Sequence, residues 1–167
     1  MRDKRTAVEQ AWALLADKTP LWTDCGALCG AKCCQGDADT GMHLLPGEEA
    51  LLADTDFAIR ENGRDRFCVC RGHCDRAKRP FSCRIFPFFP VPVFFRSGRY
   101  AIRVMPDLRA GAVCPLLRRE DVRFDRRFLH AVKRAGYALM RDPDTRAWLV
   151  ETAQEIRDVA LLQEKLK

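Results

Sequence analysis

The chain has 167 residues, 47% hydrophobic and 31% charged, the length and balance of one ordinary globular domain that can bury a core without staples. That composition excludes an intrinsically disordered chain. The formal net charge of +6 leaves a partner of opposite charge open without requiring one.

The amino terminus carries basic residues, but Glu9, Gln10 and Asp17 interrupt the apolar stretch a secretory signal needs. The longest nonpolar run, Phe86 to Phe95, is ten residues and contains Pro87, Pro90 and Pro92, so it cannot cross a bilayer as a helix. The expectation is a single domain over residues 1–167, cytoplasmic, with no membrane segment.

In chain order, Thr6-x-x-Glu9 is a capping-box pattern, and Val8, Ala11, Trp12, Leu14 and Leu15 follow at helical spacing, which predicts an amphipathic helix over residues 6–17. The segment DCGALCGAKCCQGDAD, residues 24–39, is rich in Gly and Cys and poor in core residues. It reads as a loop or short helical turns organised by ligands. Pro46-Gly47-Glu48-Glu49 opens a short helix, with acids in the first turn where the helix dipole favours them. Residues 67–74 look extended and turning. The string VFFRSGRYAIRV predicts a β-hairpin around Ser97-Gly98, its prolines confined to a sheet edge.

After Cys114-Pro115 the period becomes helical, with Phe124, Phe128, Val132, Ala135 and Leu139 on one face. Asp142-Pro143 then caps a last helix whose stripe is Trp148, Leu149, Ala153, Ile156, Ala160 and Leu161. The expected fold is α+β and mostly helical. An irregular, cysteine-rich, metal-centred core with a small hairpin spans about 24–116, flanked by an N-terminal helix and a C-terminal helical pair over about 118–165.

The nine cysteines carry the chemistry. Cys25, Cys29, Cys33 and Cys34 form one group, Cys68, Cys70, Cys74 and Cys83 a second, and Cys114 stands apart. In a reducing compartment thiols stay free for metal, and steps of two to four residues suit thiolate ligation. Buried inert thiols would scatter along core periodicities instead of gathering in a Gly-rich loop. The expected cofactor is zinc or an iron–sulfur cluster, and the spacing fits no single familiar iron–sulfur motif. Adjacent Cys33 and Cys34 cannot easily serve one tetrahedral ion, so two neighbouring metals or one polynuclear cluster are expected. Metal-bound cysteines are thiolates, and two four-thiolate sites with a divalent ion each would lower the net charge to about +2.

The strings CGALCGAKCC, GMHLLPGEE, CRGHCDRAKRPFSCRIFPFFP and VCPL resemble the YkgJ-type cysteine-cluster family, a zinc- or iron-chelating domain with eight shared cysteines. The likeness runs from about Cys25 to Leu116. It implies metal ligands at Cys25, Cys29, Cys33, Cys34, Cys70, Cys74, Cys83 and Cys114, with Cys68 left over. Whether Cys68 or Cys70 is the ligand stays open. The flagellin lysine methylase of some bacteria also resembles this cysteine domain.

His43, His73 and His130 are weighed as ligands and set below the thiols, since eight thiolates fill two tetrahedral sites. Glu48 and Glu49 are weighed as catalytic carboxylates and set below a helix-start role. Arg71, Arg76, Lys78, Arg79 and Arg84, with Phe86, Phe88 and Phe89, could form a nucleic-acid patch. Cations compensating thiolates and phenylalanines shielding a metal site explain them better. Arg118, Arg119, Arg123, Arg126 and Arg127 read as a solvated helix face. The favoured function is metal binding, in metal handling or redox. The alternatives are a zinc-stabilised module for a protein or nucleic-acid partner, and a metal-dependent enzyme.

Overall fold

The computed structural model describes residues 6–35, 41–63, 65–70, 72 and 74–165. Its elements are α1 (Ala7–Leu14), α2 (Gly26–Cys29), β1 (Met42–His43), β2 (Ala58–Asn62), β3 (Asp65–Val69), α3 (Phe81–Ile85), β4 (Phe88–Phe94), β5 (Tyr100–Pro106), α4 (Arg126–Leu139) and α5 (Pro143–Lys165). Short 3-10 turns lie between them. The fold is mixed α+β and mainly helical, with an N-terminal helix, two C-terminal helices and small sheets.

The capping box forms as the sequence predicts: Glu9 N donates to Thr6 Oγ1 at 3.2 Å and Thr6 N to Glu9 Oε2 at 2.7 Å. Helix α1 buries Val8 and Ala11 and packs on α4. Both C-terminal helices lie on the antiparallel hairpin β4–β5, paired from Phe88↔Pro106 to Phe94↔Tyr100. Phe81, Phe89, Ile102, Phe128, Val132, Leu139 and Leu149 fill the core between them. A Cβ on Gly136 would lie 2.7 Å from Pro90 Cβ and 2.9 Å from Ile102 Cγ2, so glycine lets α4 approach the strands. Pro90 and Pro92 sit in a two-stranded sheet, where every strand is an edge and a missing N–H is tolerated.

Three expectations change. The helix following Cys114 begins at Arg126, not near 118. Pro115–Arg118 is a 3-10 turn, and the helix starts only where the Asp125 side chain accepts from Arg127 N. Leu161 is 55% exposed, because α5 runs past the hairpin and the 3-10 turn over Leu108–Ala112 against which it packs. A three-stranded antiparallel sheet, ordered β1-β3-β2, stands where the sequence reading saw only an extended stretch. Its local signal is Gly63, which follows the last pair, Asn62↔Asp65, and takes the left-handed conformation (φ 64°) the turn needs.

Glu48 opens the short 3-10 helix Glu48–Leu52, as the sequence predicts, and is fully buried there. Its Oε1 accepts from Trp12 Nε1 at 2.7 Å and Phe81 N at 2.5 Å, and its Oε2 from Leu45 N at 2.9 Å. One carboxyl thereby joins α1, the turn before residue 48 and the start of α3. Arg84 lies over the Trp12 ring at 4.3 Å and donates to Arg79 O and Ala77 O at 2.6 and 2.8 Å. Loop 74–80 is fixed to α3 through these bonds.

Glu48→Gln keeps the shape but turns one acceptor into an NH2 facing a buried N–H. Urea unfolding should show a loss of about 1–3 kcal/mol. Burial raises the Glu48 carboxyl above its ordinary value of 4.5. The folded state therefore binds that proton more tightly than the unfolded chain, and its contribution is full below the ordinary value and lost as pH rises through the folded one. Glu48→Gln should remove that slope from stability measured between pH 4 and 8, and an unchanged slope would assign it to another group.

Candidate metal centre

The first cysteine group is built by local backbone geometry. Asp24 Oδ1 accepts from Gly26 N at 3.2 Å and from Arg76 at 3.0 Å, which ties this loop to the second group. Gly30 (φ 65°) and Ala31 (φ 51°) both adopt the left-handed conformation, reversing the chain so that Cys33 and Cys34 enter a 3-10 turn over Lys32–Cys34. With three residues per turn, their side chains leave that turn about 120° apart. Gln35 Nε2 donates to Gly30 O at 2.5 Å and closes the loop.

The second group comes from three elements. Cys68 lies in β3 and is buried, Cys70 follows the strand, and Cys83 sits in α3. Cys74 precedes the 3-10 turn Arg76–Lys78, and its sulfur accepts from Arg79 Nε at 3.2 Å. Cys114 N donates to Ala110 O at 2.8 Å, and the residue opens the turn Pro115–Arg118. It is buried with Leu21 and Leu116, and Cys25 and Cys29 pack against that cluster. The last cysteine of the chain thereby lies with the first two.

A small gap of about 20 Å3 is framed by Cys25, Cys29, Cys33 and Cys114, with Pro20, Phe86 and Leu116 behind them. That is room for about one water-sized sphere. A second set of thiols is linked through Cys34. Cys34 is hydrogen-bonded to Cys70, and Cys83 feels the charge of Cys68 first and then of Cys74 and Cys34. As positioned, no three Cys, His, Asp or Glu side chains among the described residues are close enough together to hold an ion. The thiols are gathered around the gap and not closed on it.

The thiols are unequal. Cys34 is lowered to about 6, first by a hydrogen bond with Cys33 and then, against burial, by the Arg79 guanidinium. Cys33 rises for the complementary reason, since its S–H is held by Cys34. Burial raises Cys25 and Cys70, raises Cys83 well above the ordinary thiol, and pushes Cys68 up to about 12.

Among the other candidates, His43 is half-buried and packs edge-on against Phe67 at 4.4 Å. His130 is exposed on α4, while His73 and Arg71 lie outside the described residues. Glu49 forms an ion pair with Arg66. Arg84, Phe88 and Phe89 are buried, so they offer no stacking surface to a nucleic acid. Arg119 pairs with Asp121, and Arg127 lies over Trp22 at 4.1 Å. No helix of the described residues is long and apolar enough to cross a membrane. Sequence reasoning missed a larger cavity of about 300 Å3 beside the doublet, lined in part by Asp107 and Arg109. Those two residues pair with each other across one intervening position, and only folding sets the pair against Glu155 and the cavity.

In the metal-free chain at pH 7, iodoacetamide should label Cys34 well ahead of Cys83, because alkylation follows the thiolate fraction. Peptide mapping by mass spectrometry reads the order. Equal labelling would mean that Arg79 and Cys33 do not set the reactivity of Cys34.

Searches against protein-family models, curated proteins and solved structures return no match to this chain.

Proposed function

We propose that the chain is a metal-binding protein with two four-thiolate sites that meet at the Cys33–Cys34 doublet. Cys25, Cys29, Cys33 and Cys114 form one site, and Cys34, Cys70, Cys74 and Cys83 the other. The observation carrying this reading is the ion-sized gap framed by four cysteines that are up to eighty-nine residues apart in sequence. The chemistry of the donors fits: thiolates are the preferred ligands of zinc and of iron–sulfur clusters. A cysteine sulfur turns about a single side-chain bond, so a gathered set can close without moving the backbone.

The neighbours also suit thiolates. Arg79 reaches Cys74 and lies close enough to Cys34 and Cys83 to offset their charge. Leu21, Leu116 and Phe86 surround the first gap with apolar surface, the kind of shell that keeps water from a metal site. Cys68 is a core residue of β3 in this reading, packed with Leu44 and Leu52. Zinc would hold the loops together, whereas an iron–sulfur cluster would add electron transfer. The YkgJ-type resemblance in the sequence agrees with either.

Elemental analysis and a visible spectrum of anaerobically purified protein identify the metal. Cys114→Ala and Cys83→Ala should each lose about half of the bound metal, and Cys68→Ala should lose none. Full occupancy in Cys114→Ala would remove the first site. Chelation should also abolish much of the structure of residues 24–35 while the α1, α4 and α5 circular dichroism signal persists.

A further inference from the structure

The 300 Å3 cavity lies between the cysteine loop, the β1–β3 edge, α3 and the turn following β5. Its volume is at the lower end of small-molecule sites, enough for a molecule of one or two rings. Ile85, Phe86, Phe88, Phe89 and Val113 give it an apolar body. Cys34 and Cys70 also line it, as do Met42 and His43 of β1.

Lys32 on its wall is exposed to solvent, and the other two charged side chains there, Asp107 and Arg109, are satisfied within the fold. Arg109 Nε and one terminal nitrogen donate to the two oxygens of Asp107 at 3.0 and 2.8 Å, and the other terminal nitrogen donates to Glu155 at 3.0 Å. A guanidinium held by two carboxylates does not recruit an anion, and a carboxylate filled by a guanidinium does not recruit a cation. The imidazole of His43 differs. Its ring nitrogens have no hydrogen-bond partner among the described residues, although its carbonyl accepts from Ser82 Oγ at 2.6 Å. Burial, then the nearby Arg109, keeps the ring uncharged, so it offers one donor and one acceptor.

From the apolar walls, the self-satisfied ion pair and an imidazole without a ring partner among the described residues, we propose that this cavity binds an uncharged, planar aromatic small molecule carrying one hydroxyl or carbonyl group. The ring lies against the phenylalanines and its polar group meets His43, which places the ligand beside the thiols of Cys34 and Cys70. The site goes beyond the metal reading: its phenylalanines and His43 come from the residues following α3 and from β1, while residues 32–35 of the cysteine loop close one side.

The probe is p-cresol, with toluene as its counterpart lacking the hydroxyl, added to the full chain as purified. Saturation-transfer NMR and calorimetry should give one saturable site with Kd below about 1 mM for p-cresol. Met42→Trp, which fills the cavity from an adaptable side chain, should abolish binding of both probes. His43→Phe keeps a ring but removes the hydrogen bond, and should weaken p-cresol about tenfold while leaving toluene unchanged. Metal content is measured on the same samples and should equal that of the unsubstituted chain in both variants. Absence of saturable p-cresol binding, persistence of it in Met42→Trp, or an equal loss of both probes in His43→Phe would each overturn the proposal. Loss of metal together with p-cresol binding would overturn the independence of the two sites.

Discussion

A carboxyl group shut away from water, Glu48, has to find hydrogen-bond donors, and it finds them in three separate parts of the chain. Trp12 brings the N-terminal helix, Leu45 brings the segment leaving β1, and Phe81 brings the first amide of α3. Because Cys83 lies two residues after Phe81, the carboxyl that fixes α3 also fixes one proposed ligand. Arg84 extends the arrangement by covering Trp12 and gripping the carbonyls of Ala77 and Arg79. The loop holding Cys74 is thereby tied to the same point.

Two kinds of material meet there. On one side, the hairpin and helices α1, α4 and α5 make an apolar core that contains no cysteine, with Gly136 permitting close approach of helix and strands. On the other, residues 24–35 have few apolar side chains to bury, and their order rests on turns, an Asp24–Arg76 ion pair and thiols. An exposed ion pair contributes little to stability. The proposed metals would supply what that half of the molecule lacks, and chelation is therefore expected to act unevenly across the chain.

The Cys33–Cys34 doublet is the seam of the proposed centre. A 3-10 turn sets consecutive side chains about 120° apart, so that Cys33 lines the gap shared with Cys114 and Cys34 reaches Cys70 while the two sulfurs stay within hydrogen-bond range of each other. The hydrogen bond between the two thiols and the guanidinium of Arg79 make Cys34 the more acidic member. The adjacent cavity brings apolar surface and an uncharged imidazole to the same seam, so any small molecule bound there lies next to the thiols instead of at a remote surface.

The sequence alone determined the helices at either end, since a capping box, an Asp-Pro start and a 3.6-residue period are local signals. It also determined the hairpin around Ser97-Gly98 and the grouping of cysteines, because turn residues and close spacing act over a few positions. The sheet β1-β3-β2 was half legible, in Gly63, but pairing Met42 with Cys68 depends on a contact twenty-six residues away. Only the tertiary structure decided that Cys114 meets Cys25 and Cys29, that the Glu48 carboxyl is buried against Trp12 and Phe81, and that Glu155 joins the Asp107–Arg109 pair on a cavity wall. Each of these depends on which distant segments burial forces together, and a one-dimensional pattern of apolar, charged and thiol residues carries no distance between them.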